Sequence, residues 1–335
     1  MPLEYWLAGA LMASLTLYAL GAGADFGGGV WDLLSSGPRA RAQRDLIAHA
    51  IGPIWEANHV WLILVVVVMF VCFPLAWAVL STVLHIPLTL MLLGIVLRGS
   101  AFTFRAYDDA SDAVQRRRGR VFAIASVITP LMLGMCAGAV ASGAVQMRDG
   151  RVVGGFVRPW LAAFPFAVGL LAVALFAFLA AVYLTLEAGD DDALREDFRR
   201  RALASGIAVG AIAFLSLVLA RRGAPLVWEG LVGRHWSVPL HIATALYALG
   251  ALAALVRRRF TYARTCAVLQ VTFVLWGWGV SQFPYVVPPS LTFTEAAAPP
   301  AVLRAVLEAL AAGAVILAPS LWALYRVFKG RRVEA

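Results

Sequence analysis

Runs of about twenty apolar residues, separated by short polar segments, repeat along the whole chain, and a membrane-spanning helix needs roughly 20 such residues. Nine runs qualify, at about 4–24, 54–73, 75–97, 120–144, 160–186, 203–220, 238–256, 264–285 and 303–327. Phe73-Pro74 divides the long apolar stretch 54–97, because proline disfavours the helical region for the residue before it. No window sustains the period-2 alternation of a membrane β-barrel. The pattern predicts an all-α polytopic membrane protein, a single integral membrane domain over 1–335 with nine transmembrane helices.

Composition agrees. Of the 335 residues 61% are hydrophobic and 14% charged, with mean hydropathy +0.81, whereas soluble domains run at about 45–50% apolar and 25% charged. The net charge of +9 would point to nucleic acid in a soluble chain. Here 27 of the 28 basic residues are arginines, and they sit between the apolar runs, so no nucleic-acid partner is expected. Counted by side, 21 of the 28 follow odd-numbered spans or lie in the tail. They include Arg39, Arg41 and Arg44, Arg116 to Arg118, Arg199 to Arg201, Arg257 to Arg259, Lys329, Arg331 and Arg332. The positive-inside rule then puts the N-terminus outside and the C-terminus in the cytoplasm. The first twenty residues lack a basic leader and a clean cleavage site, so they read as a span rather than a removed signal. Cys72, Cys136 and Cys266 lie singly in apolar runs and read as packed thiols.

Ionisable groups in a bilayer are expensive, and each is a candidate site. Asp25 closes the first span inside Gly21-Ala22-Gly23-Ala24-Asp25-Phe26-Gly27-Gly28-Gly29. The glycine spacing is not that of a dinucleotide fingerprint, and a membrane helix precedes it, so nucleotide binding is rejected. Two readings of Asp25 stand, a capping or interfacial carboxylate and a proton-handling group. Trp55-Glu56-Ala57-Asn58-His59-Val60-Trp61 opens the second span after Pro53. Glu56 and His59 are three apart and so share a helix face, where they can share a hydrogen bond. They form either a proton relay or a polar cluster that holds helices together. Asn58 adds an amide, and Trp55 and Trp61 suit the membrane boundary. No second ligand is spaced to bind metal with His59, and no metal site is expected. His85 and His241 read as packing histidines, and Arg98 as a residue snorkelling to lipid phosphates. Arg304 and Glu308, at i, i+4, are expected to pair.

Asp25-Phe26-Gly27-Gly28-Gly29 with Trp31-Asp32-Leu33-Leu34, then Gly52-Pro53-Ile54-Trp55-Glu56-Ala57-Asn58-His59-Val60-Trp61, then Phe73-Pro74, resembles subunit II of cytochrome bd-type quinol oxidases. Leu97-Arg98-Gly99-Ser100-Ala101-Phe102 and Phe283-Pro284-Tyr285-Val286-Val287-Pro288-Pro289-Ser290 resemble later landmarks of the same family. The Glu-Ala-Asn-His form is similar to its cyanide-insensitive branch. The resemblance covers about the whole chain, and its most specific part lies in the first hundred residues.

That resemblance implies a complex of the bacterial cytoplasmic (inner) membrane that oxidises quinol and reduces dioxygen to water. Such complexes contribute to the proton gradient without pumping. The haems, b and d or b only, belong to a pseudo-symmetric partner, subunit I. No haem ligand is carried over to His59, His85 or His241. Subunit II supports assembly and haem stability, and small accessory membrane subunits, lipid and a bound quinone are further expected partners. Glu56 takes a proton-path position where several relatives have aspartate, so Asp25, Glu56 and His59 are the path candidates. Trp55, Asn58, Trp61 and Arg98 are expected to support them. A secondary transporter is the alternative, although no repeated pair of Gly/Pro-interrupted spans is visible.

Overall fold

A computed structural model describes residues 2–52, 55–107, 112–148, 151–153 and 155–329. Pro53, Ile54, Arg331 and Arg332 lie outside the described residues, as do the side chains of Arg105, Arg116 and Lys329. The helices are α1 (Leu3–Leu33), α2 (Ala40–Ile51), α3 (Trp55–Cys72), α4 (Pro74–Val83), α5 (His85–Tyr107) and α6 (Asp112–Ala141). A hairpin of β1 (Gln146–Arg148) and β2 (Arg151–Val153) leads to α7 (Ala163–Glu187), α8 (Asp192–Gly223) and α9 (Pro225–Trp228). A π-helical turn (Glu229–Gly233) precedes α10 (Ser237–Val256) and α11 (Phe260–Gln282). A second antiparallel pair, β3 (Tyr285–Val287) and β4 (Leu291–Thr292), joins α12 (Phe293–Ala296) and α13 (Pro300–Lys329).

Among the described residues eight helices are long and apolar enough to cross a membrane. The 23-residue α11 takes the place of the eighth of the nine sequence runs. Three boundaries differ from the hydropathy reading. α1 does not end at Asp25 but continues to Leu33 over 31 residues, about 46 Å at 1.5 Å per residue. α8 begins eleven residues before its apolar stretch, capped by Asp191, whose Oδ1 accepts from the amides of Ala193 at 3.0 Å and Leu194 at 2.9 Å. The run 75–97 is two helices, because the chain leaves helical geometry again at Leu84. The break at Phe73 (φ −133°, ψ 58°) with Pro74 in the first turn of α4 is the one proline requires.

The core has two main levels stacked along α1. Leu7 and Leu11 pack with Val68, Cys72, Phe73, Met135 and Val287 at one level. Tyr18, Phe26 and Trp31 pack with Phe122, Phe176, Phe178 and Phe198 at the other. α1 is the hub, in contact with α3, α6, α7 and α11. The connections segregate to opposite ends. At the arginine-rich end Asp197 on α8 accepts from Arg39 Nε and Gln43 Nε2, both at 2.8 Å. Gln43 Oε1 accepts from Arg201 at 2.7 Å, and Glu196 accepts from Arg258 at 2.9 Å. At the other end Thr294 donates to Glu4 at 3.1 Å, and the amide of Ala298 donates to the Cys72 carbonyl at 2.8 Å. Cys72 and Cys136 are buried free thiols and Cys266 a partly buried one. Arg304 and Glu308 are both exposed on α13 and form no ion pair among the described residues.

Candidate functional site

The glycine-rich stretch of α1 is what lets other helices reach Asp25. A Cβ on Gly21 would stand 2.6 Å from Asn58 Oδ1, so only glycine there admits the amide. One turn further along, Asp25 is buried, and its Oδ2 accepts from Asn58 Nδ2 at 2.7 Å. This carboxylate is therefore not a helix cap at the membrane surface. It is an internal group on a continuous helix.

Arg98 completes the site from α5. It is 2% exposed, so it does not snorkel to lipid phosphates as its place at the end of a span predicts. Its guanidinium lies between two rings, with Cζ 4.8 Å from the centroid of Phe26 and 5.1 Å from that of Phe122. Flat cations are held this way by the negative faces of aromatic rings. Nε donates to Ser126 Oγ at 3.2 Å, and that hydroxyl donates to the Phe122 carbonyl at 2.7 Å. The charge of Arg98 acts on Asp25, on Tyr18 and on His59. A buried cation beside a buried carboxylate offsets part of the desolvation cost of both.

His59 is partly buried with Tyr18, Phe26 and Trp55 around it, ring centroids 5.8, 6.0 and 6.1 Å away. Trp55 also meets Phe102 at 6.2 Å, and Gly99 leaves it room. Trp61 packs partly buried against the same core. Glu56 stands apart from this group. It is exposed on the outer side of α3, and no hydrogen bond joins it to His59 among the described residues. The structure thus gathers Asp25, Asn58, His59 and Arg98 and turns Glu56 toward whatever lies beside α3.

Sequence reading missed Tyr18, Ser126 and Thr129, which stand in apolar runs like any packing residue. The signal available was position: Tyr18 precedes Asp25 by seven residues, two turns along one face. Of the other histidines, His85 and His241 are exposed, each with Nδ1 bonded to a carbonyl of its own helix region, Thr82 at 2.8 Å and Ser237 at 2.7 Å. Any group they held would lie between this chain and a neighbour. His59, enclosed by three aromatic rings, faces no second axial histidine among the described residues. No group of three His, Cys, Asp or Glu side chains able to hold a metal ion occurs among them.

The family model for cytochrome bd terminal oxidase subunit II matches residues 3–328. The chain belongs to that family. A Bacillus subtilis (strain 168) protein provisionally named cytochrome bd menaquinol oxidase subunit II is 24% identical over 326 residues, 93% of this chain and 91% of that protein. The cytochrome bd ubiquinol oxidase subunit 2 of the same organism is 36% identical over 93 residues, 28% of this chain and 27% of its own length. A chain of the bd oxidase from Geobacillus thermodenitrificans superposes with a TM-score of 0.77 at 22% identity, covering 99% of this chain and 100% of that one. That likeness establishes a shared fold. As a subunit II family member, the chain is a membrane-embedded part of an oxidoreductase complex that contains haem, and it works with a further oxidase subunit. The transporter alternative falls away.

Proposed function

We propose that this subunit completes a quinol:dioxygen oxidoreductase of the bacterial cytoplasmic membrane and supplies it with cytoplasmic protons. Haem b and haem d, or haem b alone, belong to the partner subunit I in this reading. Bound there, haem supplies the electron transfer that turns dioxygen into water. What this chain contributes is the protein around that chemistry, in the form of a stable half of the complex and a route for protons.

The observation that carries the reading is the Asp25–Asn58–Arg98 cluster, an ionisable group buried inside an apolar bundle on the side of the arginine-rich connections. Asn58 Nδ2 donates to the Asp25 carboxylate, and the Arg98 guanidinium is buried in the same cluster. A buried carboxylate held in this way can take up a proton and pass it on, which is the role proposed here for Asp25. Glu56, on the outer side of α3, is placed to exchange protons with a neighbouring chain, and the His59 ring stands between the two carboxylates' helices. Trp55 and Trp61 pack against the core around it. The excess of basic residues sets the N-terminus outside and the C-terminus in the cytoplasm, which puts the proton entry on the cytoplasmic side.

The test is the co-expressed complex carrying Asp25→Asn or Glu56→Gln. Quinol-dependent oxygen uptake is expected to fall by about 10²-fold or more while the haem absorption bands and co-purification of subunit I persist. Unchanged uptake with intact haem would make the polar cluster structural glue. Cysteine labelling from each side of the membrane at positions 117 and 158 checks the orientation.

A further inference from the structure

At the arginine-rich end two elements distant in sequence bring guanidinium groups to one corner. Arg195, Arg199 and Arg200 come from the start of α8, and Arg257, Arg258 and Arg259 make up the turn between α10 and α11. Glu196 joins them. Its Oε1 accepts from Arg199 Nη2 at 2.7 Å and Arg200 Nε at 3.0 Å, and its Oε2 from Arg199 Nε at 2.8 Å and Arg258 Nη2 at 2.9 Å. Arg195 lies over the Phe260 ring of α11, with Cζ 5.7 Å from the centroid. Arg258 reaches Glu196 from a left-handed backbone (φ 56°), a conformation uncommon outside glycine. Arg257 and Arg259, on either side of it, are exposed, and neither forms an ion pair among the described residues.

One carboxylate thus faces three guanidinium groups, and Asp192 answers only Arg195, at 2.7 Å. Asp192 also stands about 12 Å further out along α8 than Arg200, at 1.5 Å per residue. The corner therefore keeps an excess of positive charge among the described residues, placed where the apolar run of α8 begins. Just inside it the surface is apolar. α8 exposes Ile207 and Phe214, and α10 exposes Leu246 and Leu249. Gly206 lets Leu252 of α10 approach α8, while Gly210, one turn on, meets nothing within 4 Å and leaves that face open. Tyr262 is exposed beside the arginines, at the level where amphipathic rings mark a membrane boundary.

A soluble polyanion would use the arginines and gain nothing from the apolar face, and a lipid without net charge would do the reverse. An anionic phospholipid matches both, because planar guanidinium forks fit phosphate oxygens and its acyl chains suit the exposed aliphatic side chains. We propose that Arg200, Arg257 and Arg259 hold the headgroup phosphate of an anionic phospholipid whose chains lie along α8 and α10. The lipid then adds a second tie, beside the Glu196–Arg258 bond, between α8 and the α10–α11 turn.

The test uses the assembled oxidase, co-purified with subunit I, stripped of lipid in detergent and then given defined lipid. Phosphatidylglycerol is expected to raise the wild-type melting temperature by about 2–4 °C, and phosphatidylcholine by clearly less. In Arg257→Gln/Arg259→Gln the phosphatidylglycerol needed for half that shift should rise by about tenfold or more. Arg221→Gln/Arg222→Gln removes the same charge from the other end of α8 and should respond as the wild type does. A corner variant that responds like the wild type overturns the site. An equal shift from phosphatidylcholine, or from glycerol phosphate as a soluble headgroup, overturns the anionic lipid as its occupant. Should the corner variant not assemble, a cryo-EM map of the wild-type complex in phosphatidylglycerol nanodiscs decides the question. Phosphate density about 3 Å from at least two of the three guanidinium groups is expected there, and a map without it overturns the proposal.

Discussion

Asn58 Nδ2 donates to Asp25 Oδ2 at 2.7 Å, joining α1 and α3 across 33 residues of sequence at a point where Gly21 presents no side chain. The bond ties the relay to the packing of two helices. A hydrogen bond to a charged group contributes about 1.5–3 kcal/mol, and here its geometry depends on an absent methyl group.

Gly21→Ala tests that dependence. The added Cβ displaces the Asn58 amide from Asp25 and is expected to cost about 1–3 kcal/mol, as overpacking of a close contact does. Thermal melting of the purified complex reads the loss. Because both substitutions break the same bond, Gly21→Ala with Asn58→Ala should cost clearly less than the sum of the two. Strict additivity would show that the glycine serves some other contact.

Arg98 is expected to resist even a charge-conserving exchange. Lysine cannot lie flat between Phe26 and Phe122 or offer Nε to Ser126. Arg98→Met leaves the Asp25 charge buried without its cation, a change of about 3–5 kcal/mol for broken buried pairs. Combining Arg98→Met with Asp25→Asn should restore much of the melting temperature while uptake stays low. A double variant as unstable as Arg98→Met would mean that the guanidinium stack, not the charge, holds the helices.

The network at the arginine-rich end is expected to matter far less. The Arg39 side chain is 50% exposed and that of Asp197 15%, so solvent screens their attraction. Asp197→Asn should cost about 1 kcal/mol or less, and the difference should shrink further in high salt. Melting curves at low and high ionic strength check this, and a large salt-independent loss would contradict it.

At the opposite end Thr292 Oγ1 accepts from the Glu295 amide at 3.2 Å, while Glu295 accepts from the Thr292 amide at 2.8 Å, closing a capping box. The Thr292 backbone amide and hydroxyl hold the Glu295 carboxyl below the usual carboxylate range. A depressed folded-state value stabilises above the ordinary glutamate range, and that contribution is lost as the pH falls through the lowered value. Thr292→Ala should cost about 0.5–2 kcal/mol, as other N-cap truncations do. Melting followed from neutral to acid pH should show the wild-type advantage over Glu295→Gln fading as the acid form is reached. A constant difference across that range would count against the box.

Much of this architecture is written in the chain itself. The apolar runs, the break at Phe73-Pro74 and the arginine bias need no tertiary information, since the bilayer imposes length and polarity on each helix separately. The motif around Asp25 and the Glu-Ala-Asn-His stretch sufficed to bring the subunit II family into view. What hydropathy could not show is direction. α1 and α3 are apolar nearly all round, so nothing in their own sequence says which side faces inward, and a polar residue reads the same whether it points to a neighbour or to lipid. Only packing decided that Asn58 meets Asp25 while Glu56, two positions earlier, turns away. Packing likewise buried Arg98 between Phe26 and Phe122, far along the chain from one another, and carried α1 past Asp25 to Leu33. Composition and spacing thus determined that the chain spans the membrane and where its charges sit. Which of those charges share one enclosed site was decided by packing, with α3 meeting α1 at Gly21 and α5 laying Arg98 against Phe26.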